Sequence, residues 1–367
     1  MADQRLQKLA QVLVHYSLEL KAGDRLLIQA PAVAFPLTRE VFREAIRAGS
    51  HVIAVETLQP ELSELLLCEG SDEQLTYVSE LERCRVEQYT ARLYVWGDEN
   101  TCALAAVDPA RLALYQRARQ ALVSRRLERE ANGEARWCGT LFPTQAYAQN
   151  AGMSLRAYED FVFSAGMLDM ADPIAAWRQV FAEQEQIAAF LEQHDELHIV
   201  APGTDLRLRV GGRHWVNCAG KKNFPDGEVF TGPIEDSLSG TIRFSHPAFY
   251  EGHVVEGISL TFVEGRVVEA TARSEQAFLE AMLNVDPGAC RVGEVAFGLN
   301  YNIQRFTRHT LFDEKIGGTM HLALGASLPE SGGRNQSTIH WDMVTDLREG
   351  RVYADGQLCY ANGRFLI

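Results

Sequence analysis

The feature that most limits what this chain can fold into is a change of hydrophobic period close to residue 194. Upstream of that point, helical and strand patterns alternate. Leu6, Leu9, Val12, Leu13, Tyr16 and Leu20 recur at helical spacing, and Gly23 stands where a helix cap belongs. Residues 25–30 (RLLIQA) then form the apolar run of a buried strand. A helix over 36–48 follows, with Pro36 in its first turn and Gly49 past its end. Residues 51–55 and 92–96 (RLYVW) read as further strands, 109–131 as a long helix, and 136–142 as a strand closed by Pro143. Strands separated by helices predict an α/β domain built on a parallel sheet.

A helix over 173–193 ends this pattern, and short alternating segments take over. Residues 206–210 (LRLRV), 259–265 and 266–272 read as strands, with a single helix over 275–283. Glu264-Gly265, Glu349-Gly350 and Asp355-Gly356 have the composition of hairpin turns. The expectation is an α/β domain over 1–194 and a β-rich α+β domain over 195–367. A hydrophobic content of 46 % is enough for two cores in a chain of 367 residues.

Charge and cysteine usage exclude several classes. A net charge of −14 argues against nucleic acid, whose phosphates want clustered Lys and Arg. The 7 cysteines are odd in number, scattered and never in a CxxC pair, as reduced thiols of a cytoplasmic protein are. The opening MADQRLQKLAQVLV carries charges through an amphipathic helix and lacks the apolar core of a signal peptide. No uninterrupted apolar run approaches the roughly 18 residues of a membrane span, so a cytoplasmic location is expected. GxGxxG after a strand, GxxxxGK[ST] and the GxSxG elbow are all missing.

The candidates for chemistry lie in the second half. His340-Trp341-Asp342 sets two metal-type ligands at i and i+2, on one face of a strand. Taken alone, the same pattern also suits a strand with a polar face. His321 lies in GGTMHLALG, Glu294 in VGEVAFGLN and Glu228 in FPDGEVFTGP, each an ionisable group within apolar, glycine-flanked sequence. One such residue is compatible with a packed histidine or a strand edge facing water. Together with His340 and Asp342 they make a mixed oxygen and nitrogen ligand set suited to zinc, cobalt or manganese. An ion would offset the burial penalty of these groups. Five ligands are too many for one catalytic ion with an open position, and they suit two divalent ions sharing a carboxylate.

At these residues the chain resembles the thermophilic aminopeptidase family, also called the aminopeptidase T or leucyl aminopeptidase-like metallopeptidases. FPDGEVFTGP, RVGEVAFGLN, LFDEKIGGTMHLALG and GGRNQSTIHWDM carry the resemblance in that order, with looser matches at KAGDRLLI, REAIRAGS and RWCGTLFPTQAYA. The resemblance implies a two-domain homodimer that releases N-terminal residues from peptides. It also implies a dinuclear site of Glu228, Glu294, His321, His340 and Asp342, with Glu294 bridging the ions and a candidate for the catalytic base. One position departs: where the family usually has a tyrosine seven residues after the GTxHxAxG histidine, this chain has Leu328. Two other readings stay open at this point. One is a mononuclear iron(II) ring-cleaving dioxygenase using His321, His340 and Asp342, and the other is a catalytically weakened relative.

Overall fold

Leu6, Leu9 and Val12 come to lie on the buried side of the helix Gln4–Val12, whose first turn is capped by Asp3 accepting from Arg5 N. In the computed structural model, which describes residues 3–367, this helix belongs to the first of two compact units. That unit comprises Met1–Ile174 with Gly220–Phe224.

Its centre is a five-stranded sheet in the order Val52–Leu58, Arg25–Pro31, Ala91–Trp96, Arg136–Leu141, Asn223–Phe224. Every pairing in it is parallel, as the alternation of strands and helices predicts. Leu26, Ile28, Leu93 and Val95 are fully buried, so the central strands carry the continuous apolar character of a covered sheet. The helix Phe35–Arg47 starts with Pro36 in its first turn, and Pro109–Ala131 is the long helix of the unit. Shorter helices at Pro60–Glu69, Asp72–Thr76, Glu80–Gln88, Gln145–Asn150 and Leu155–Ala165 fill the remaining connections. No helix among the described residues is long and apolar enough to cross a membrane.

The second unit comprises Ala175–Ala219 with Pro225–Ile367, and the helix Pro173–Leu191 leads into it. An eight-stranded sheet runs in the order Arg266–Thr271, Ser259–Val263, Ser239–Arg243, Thr204–Arg209, Glu196–Ala201, Arg351–Ala354, Gln357–Ala361, Arg364–Phe365. A five-stranded sheet runs His340–Asp346, Thr319–Gly325, Val292–Gly298, Glu228–Thr231, Val216–Cys218, all antiparallel. The two sheets share one core. Leu206, Ile242, Leu260 and Tyr360 of the larger meet Val229, Phe297, Met320, Leu322 and Met343 of the smaller.

Two of the three expected hairpin turns join adjacent strands: Glu264-Gly265 and Asp355-Gly356, both residues of each at positive φ. Glu349-Gly350 does not. The strand before it pairs within the five-stranded sheet and the strand after it within the eight-stranded one, so this turn carries the chain from one sheet to the other. The dipeptide specifies a reversal of direction, while pairing is decided by which apolar face each strand must bury.

Candidate metal centre

Side chains alternate across a strand, so the five-stranded sheet has one face toward the shared core and one away from it. Met320, Leu322 and Leu324 take the core face of their strand, which leaves His321 and Ala323 on the other. Trp341 and Met343 take the core face of the last strand, and His340 and Asp342 therefore point the opposite way. Val229 does the same for Glu228. The period-2 pattern thus places four of the five candidates on one face.

Glu294 reaches that face by a different route. Val292, Val295 and Phe297 all belong to the core cluster, an odd spacing that regular alternation does not allow. The register shifts between Val292 and Glu294, so Gly293 is the extra residue of a bulge that turns Glu294 away from the core. Gly293 tolerates the close approach this needs: a Cβ there would lie 2.4 Å from the Gly325 carbonyl oxygen and 2.3 Å from that of Ala326.

All five residues meet. His321 Nε2 lies 3.2 Å from Glu294 Oε1, 3.7 Å from Glu228 Oε2 and 3.9 Å from Asp342 Oδ1. His340 Nε2 lies 3.6 Å from Glu294 Oε2 and 3.5 Å from Asp342 Oδ1. Glu294 therefore stands between the two imidazoles with one oxygen toward each. His340 Nδ1 is 2.8 Å from the Ala326 carbonyl, which can only accept, so Nδ1 carries the proton and Nε2 presents its lone pair when the ring is neutral.

Two residues join the site that were not among the sequence candidates. Lys315 is 2 % exposed, with Nζ 2.8 Å from Glu228 Oε1 and 2.7 Å from Glu314 Oε2. A run such as Asp313-Glu314-Lys315 ordinarily marks a solvated turn, and its signals in the sequence are its place just before Gly317-Gly318 and the His321 strand and its inclusion in the LFDEKIGGTMHLALG segment. Glu228 is also fixed through its backbone, whose carbonyl accepts from Gln184 Nε2 at 2.9 Å.

Burial and mutual charge set the protonation of these groups. Desolvation raises the Glu294 carboxyl and pushes Glu314 up to about 8. Burial opposes the charged form of His321 and His340, yet hydrogen bonds and the surrounding carboxylates raise them to about 9 and about 10. Burial likewise opposes ionisation of Asp342, but His340 and His321 hold its carboxyl well below the usual range.

The donor atoms fit a cation. Glu228 Oε2 and Glu294 Oε2 are buried without a hydrogen-bond partner, an arrangement that is unfavourable for polar atoms left to themselves. Ligands held about 2.0–2.1 Å from a tetrahedral ion lie roughly 3.4 Å from one another. The separations around His321 Nε2 bracket that spacing. Two groups of donors fall within 4.8 Å of one another, Glu294-His321-Asp342 and Glu228-Glu314-His321. A third, Cys218-Asp226-Glu228, continues from Glu228, and burial holds its thiol well above the usual range.

The comparisons with known proteins agree with this chemistry. Aminopeptidase 2 of Geobacillus stearothermophilus is 31 % identical, over 97 % of this chain and 95 % of its own length. Aminopeptidase T of Thermus thermophilus is 30 % identical, over 96 % of this chain and 95 % of its own length. The solved structure of wild-type AmpT from Thermus thermophilus superimposes with a TM-score of 0.85, at 28 % identity and 99 % coverage of both chains. Residues 2–365 match the family described as thermophilic metalloprotease (M29), and with its buried cluster of carboxylates and imidazoles the chain belongs to that family.

Proposed function

We propose that this metalloprotease is an aminopeptidase that releases N-terminal residues from peptides, with two divalent ions held by Glu228, Glu294, His321, His340 and Asp342. The observation that carries the reading is the convergence of these five side chains on one sheet face, with buried carboxylate oxygens lacking any protein partner. The names of the related proteins supply the exopeptidase part.

Charge supports two ions over one. Glu228, Glu294, Glu314 and Asp342 are four carboxylates in or at the edge of the interior, and Lys315 is the ammonium that faces two of them. With neutral imidazoles the ionised cluster keeps three uncompensated negative charges, more than one divalent ion neutralises. Zinc, cobalt or manganese suits this donor set. Ions bound here would supply Lewis acidity toward a substrate carbonyl and lower the pKa of a water.

The chain's own residues have separate tasks. Glu294, with one oxygen toward each histidine, would be the carboxylate shared by the two ions and is one of two candidates for the base, the other being the activated water itself. The Ala326 carbonyl orients His340. Lys315 occupies one oxygen of Glu228 and leaves the other free to ligate. An oxygenase using only His321, His340 and Asp342 would leave the orphaned Glu228 oxygen without a role, and membership of a protease family gives that reading no support.

The test pairs metal analysis with substrate choice. After dialysis against zinc, cobalt or manganese the protein should retain two ions per chain. It should release the first residue of a free peptide and leave the same peptide untouched when its α-amine is acetylated. One ion per chain would sink the dinuclear part, and cleavage of acetylated peptides the exopeptidase part. Assembly as a homodimer belongs to the same proposal, and a monomer mass by light scattering at micromolar concentration would count against it.

A further inference from the structure

A cavity of about 440 Å³ lies within the first unit, between its parallel sheet and the helices Glu80–Gln88 and Pro109–Ala131. The layer between a sheet and its helices is normally close-packed and apolar. Here five arginines line it: Arg85, Arg92, Arg119, Arg126 and Arg136.

Three of them are accounted for. Arg85 pairs with Glu56 at 2.8 Å, Arg119 with Glu82 at 2.7 Å and Arg136 with Asp24 at 2.5 Å. Arg126 reaches Glu130 only at 3.8 Å, too far for a hydrogen bond. Arg92 is the exception in the middle of the sheet. It sits on the strand Ala91–Trp96, half-buried, and among the described residues it has no hydrogen bond and no ion pair within 4.0 Å. Burial and the like-charged Arg126 lower its affinity for its proton, and the more distant carboxylates of Glu130 and Glu56 only partly offset them. Glu130 is pushed the other way by burial.

A half-buried arginine with five N–H donors and no acceptor, without a protein partner among the described residues and beside a second cation, has donors to offer a ligand. That is the ordinary arrangement of a site that receives an anion. The rest of the wall is mixed: Leu27, Tyr115 and Leu122 give it an apolar side, while Gln29, Glu82 and Glu130 also line it, Glu82 paired with Arg119 and Glu130 3.8 Å from Arg126. The volume falls in the range of small-molecule sites. We propose that this cavity binds a small organic carboxylate, its carboxylate on Arg92 and Arg126 and an apolar body against Leu27, Tyr115 and Leu122. The site lies wholly in the first unit and does not depend on the metal centre.

Calorimetric titration with 4-methylpentanoate, its neutral amide 4-methylpentanamide and inorganic phosphate tests this on the full-length, metal-loaded protein. The carboxylate should bind saturably, and Arg92→Met should weaken it by about tenfold or more, as the loss of a charged hydrogen-bond donor does. Arg126→Met should weaken it as well, and it serves where Arg92→Met alters folding. The ligand should raise the melting temperature of the parent but not of the variants. Both variants should keep the parent's turnover on aminoacyl substrates. Equal binding of acid and amide, equal binding by parent and both variants, or tighter binding of phosphate than of the carboxylate would each overturn the assignment.

Discussion

Glu294 is the residue on which the proposed centre turns, because its two oxygens face two different imidazoles. Glu294→Gln keeps the shape but removes the charge and one acceptor, so the pair of ions loses its shared ligand. The expected result is loss of at least one ion per chain by elemental analysis and a fall in turnover of about a hundredfold or more. Normal turnover with full metal content would remove Glu294 from the centre. Leu328 poses the opposite question. It is half-buried, precedes the turn Pro329–Ser331, and lies two residues beyond the Ala326 carbonyl that holds His340. A tyrosine hydroxyl aimed at developing charge acts mainly in the transition state, so Leu328→Tyr should raise kcat by about tenfold with KM little changed. An unchanged or lower kcat with a lower melting temperature would mean that the new ring only crowds the wall.

At the level of elements, the centre exists because three strands expose polar residues at alternate positions and a fourth has its alternation broken. The bulge at Gly293 is the decisive local feature, since without it Glu294 would share the core face with Val292. Gly293→Ala introduces a Cβ against two carbonyl oxygens, so the strand must shift or straighten. A destabilisation of about 1–3 kcal/mol is expected from the crowding, together with weaker metal retention, because straightening re-aims Glu294. Denaturant melts and metal analysis on one preparation would check both. A variant that is destabilised yet retains its metal would show that the bulge serves packing alone.

For the whole molecule, the site links stability to pH and metal. His321 and His340 are raised above the ordinary 6.5 to about 9 and about 10. Each therefore stabilises the metal-free fold below pH 6.5, and that contribution is lost as pH rises through those values. Glu294 and Glu314 are raised as well, the latter to about 8, and act with the same sign from pH 4.5 upward. Asp342 is lowered from 3.8, so its contribution is complete well below neutrality and does not enter this window. The metal-free protein should lose melting temperature between pH 6 and 9. A bound ion requires neutral imidazoles and ionised carboxylates, so it should hold or raise the melting temperature over the same window. The gap between the two forms should widen with pH, and a gap that narrows would contradict the assignment of these groups as ligands.

The sequence by itself determined the two architectures, because hydrophobic period is a local property written residue by residue. The 3.6 and 2.0 repeats needed no knowledge of what packs where, and the parallel and antiparallel sheets follow from them. It also marked Glu228, Glu294, His321, His340 and Asp342, because an ionisable group in an apolar, glycine-flanked strand stands out against its neighbours. Tertiary structure alone decided the rest. Lys315 and Glu314 read as a solvated charge run, and only the return of the chain beside Glu228 buries them. Arg92 interrupts an apolar strand no more visibly than many surface residues do, and its place beside Arg126 depends on the packing of the helix Pro109–Ala131. Glu349-Gly350 has hairpin chemistry but changes sheets. In each case the deciding term is a long-range contact, and a local pattern carries no record of which distant group desolvates a charge or leaves it unpaired.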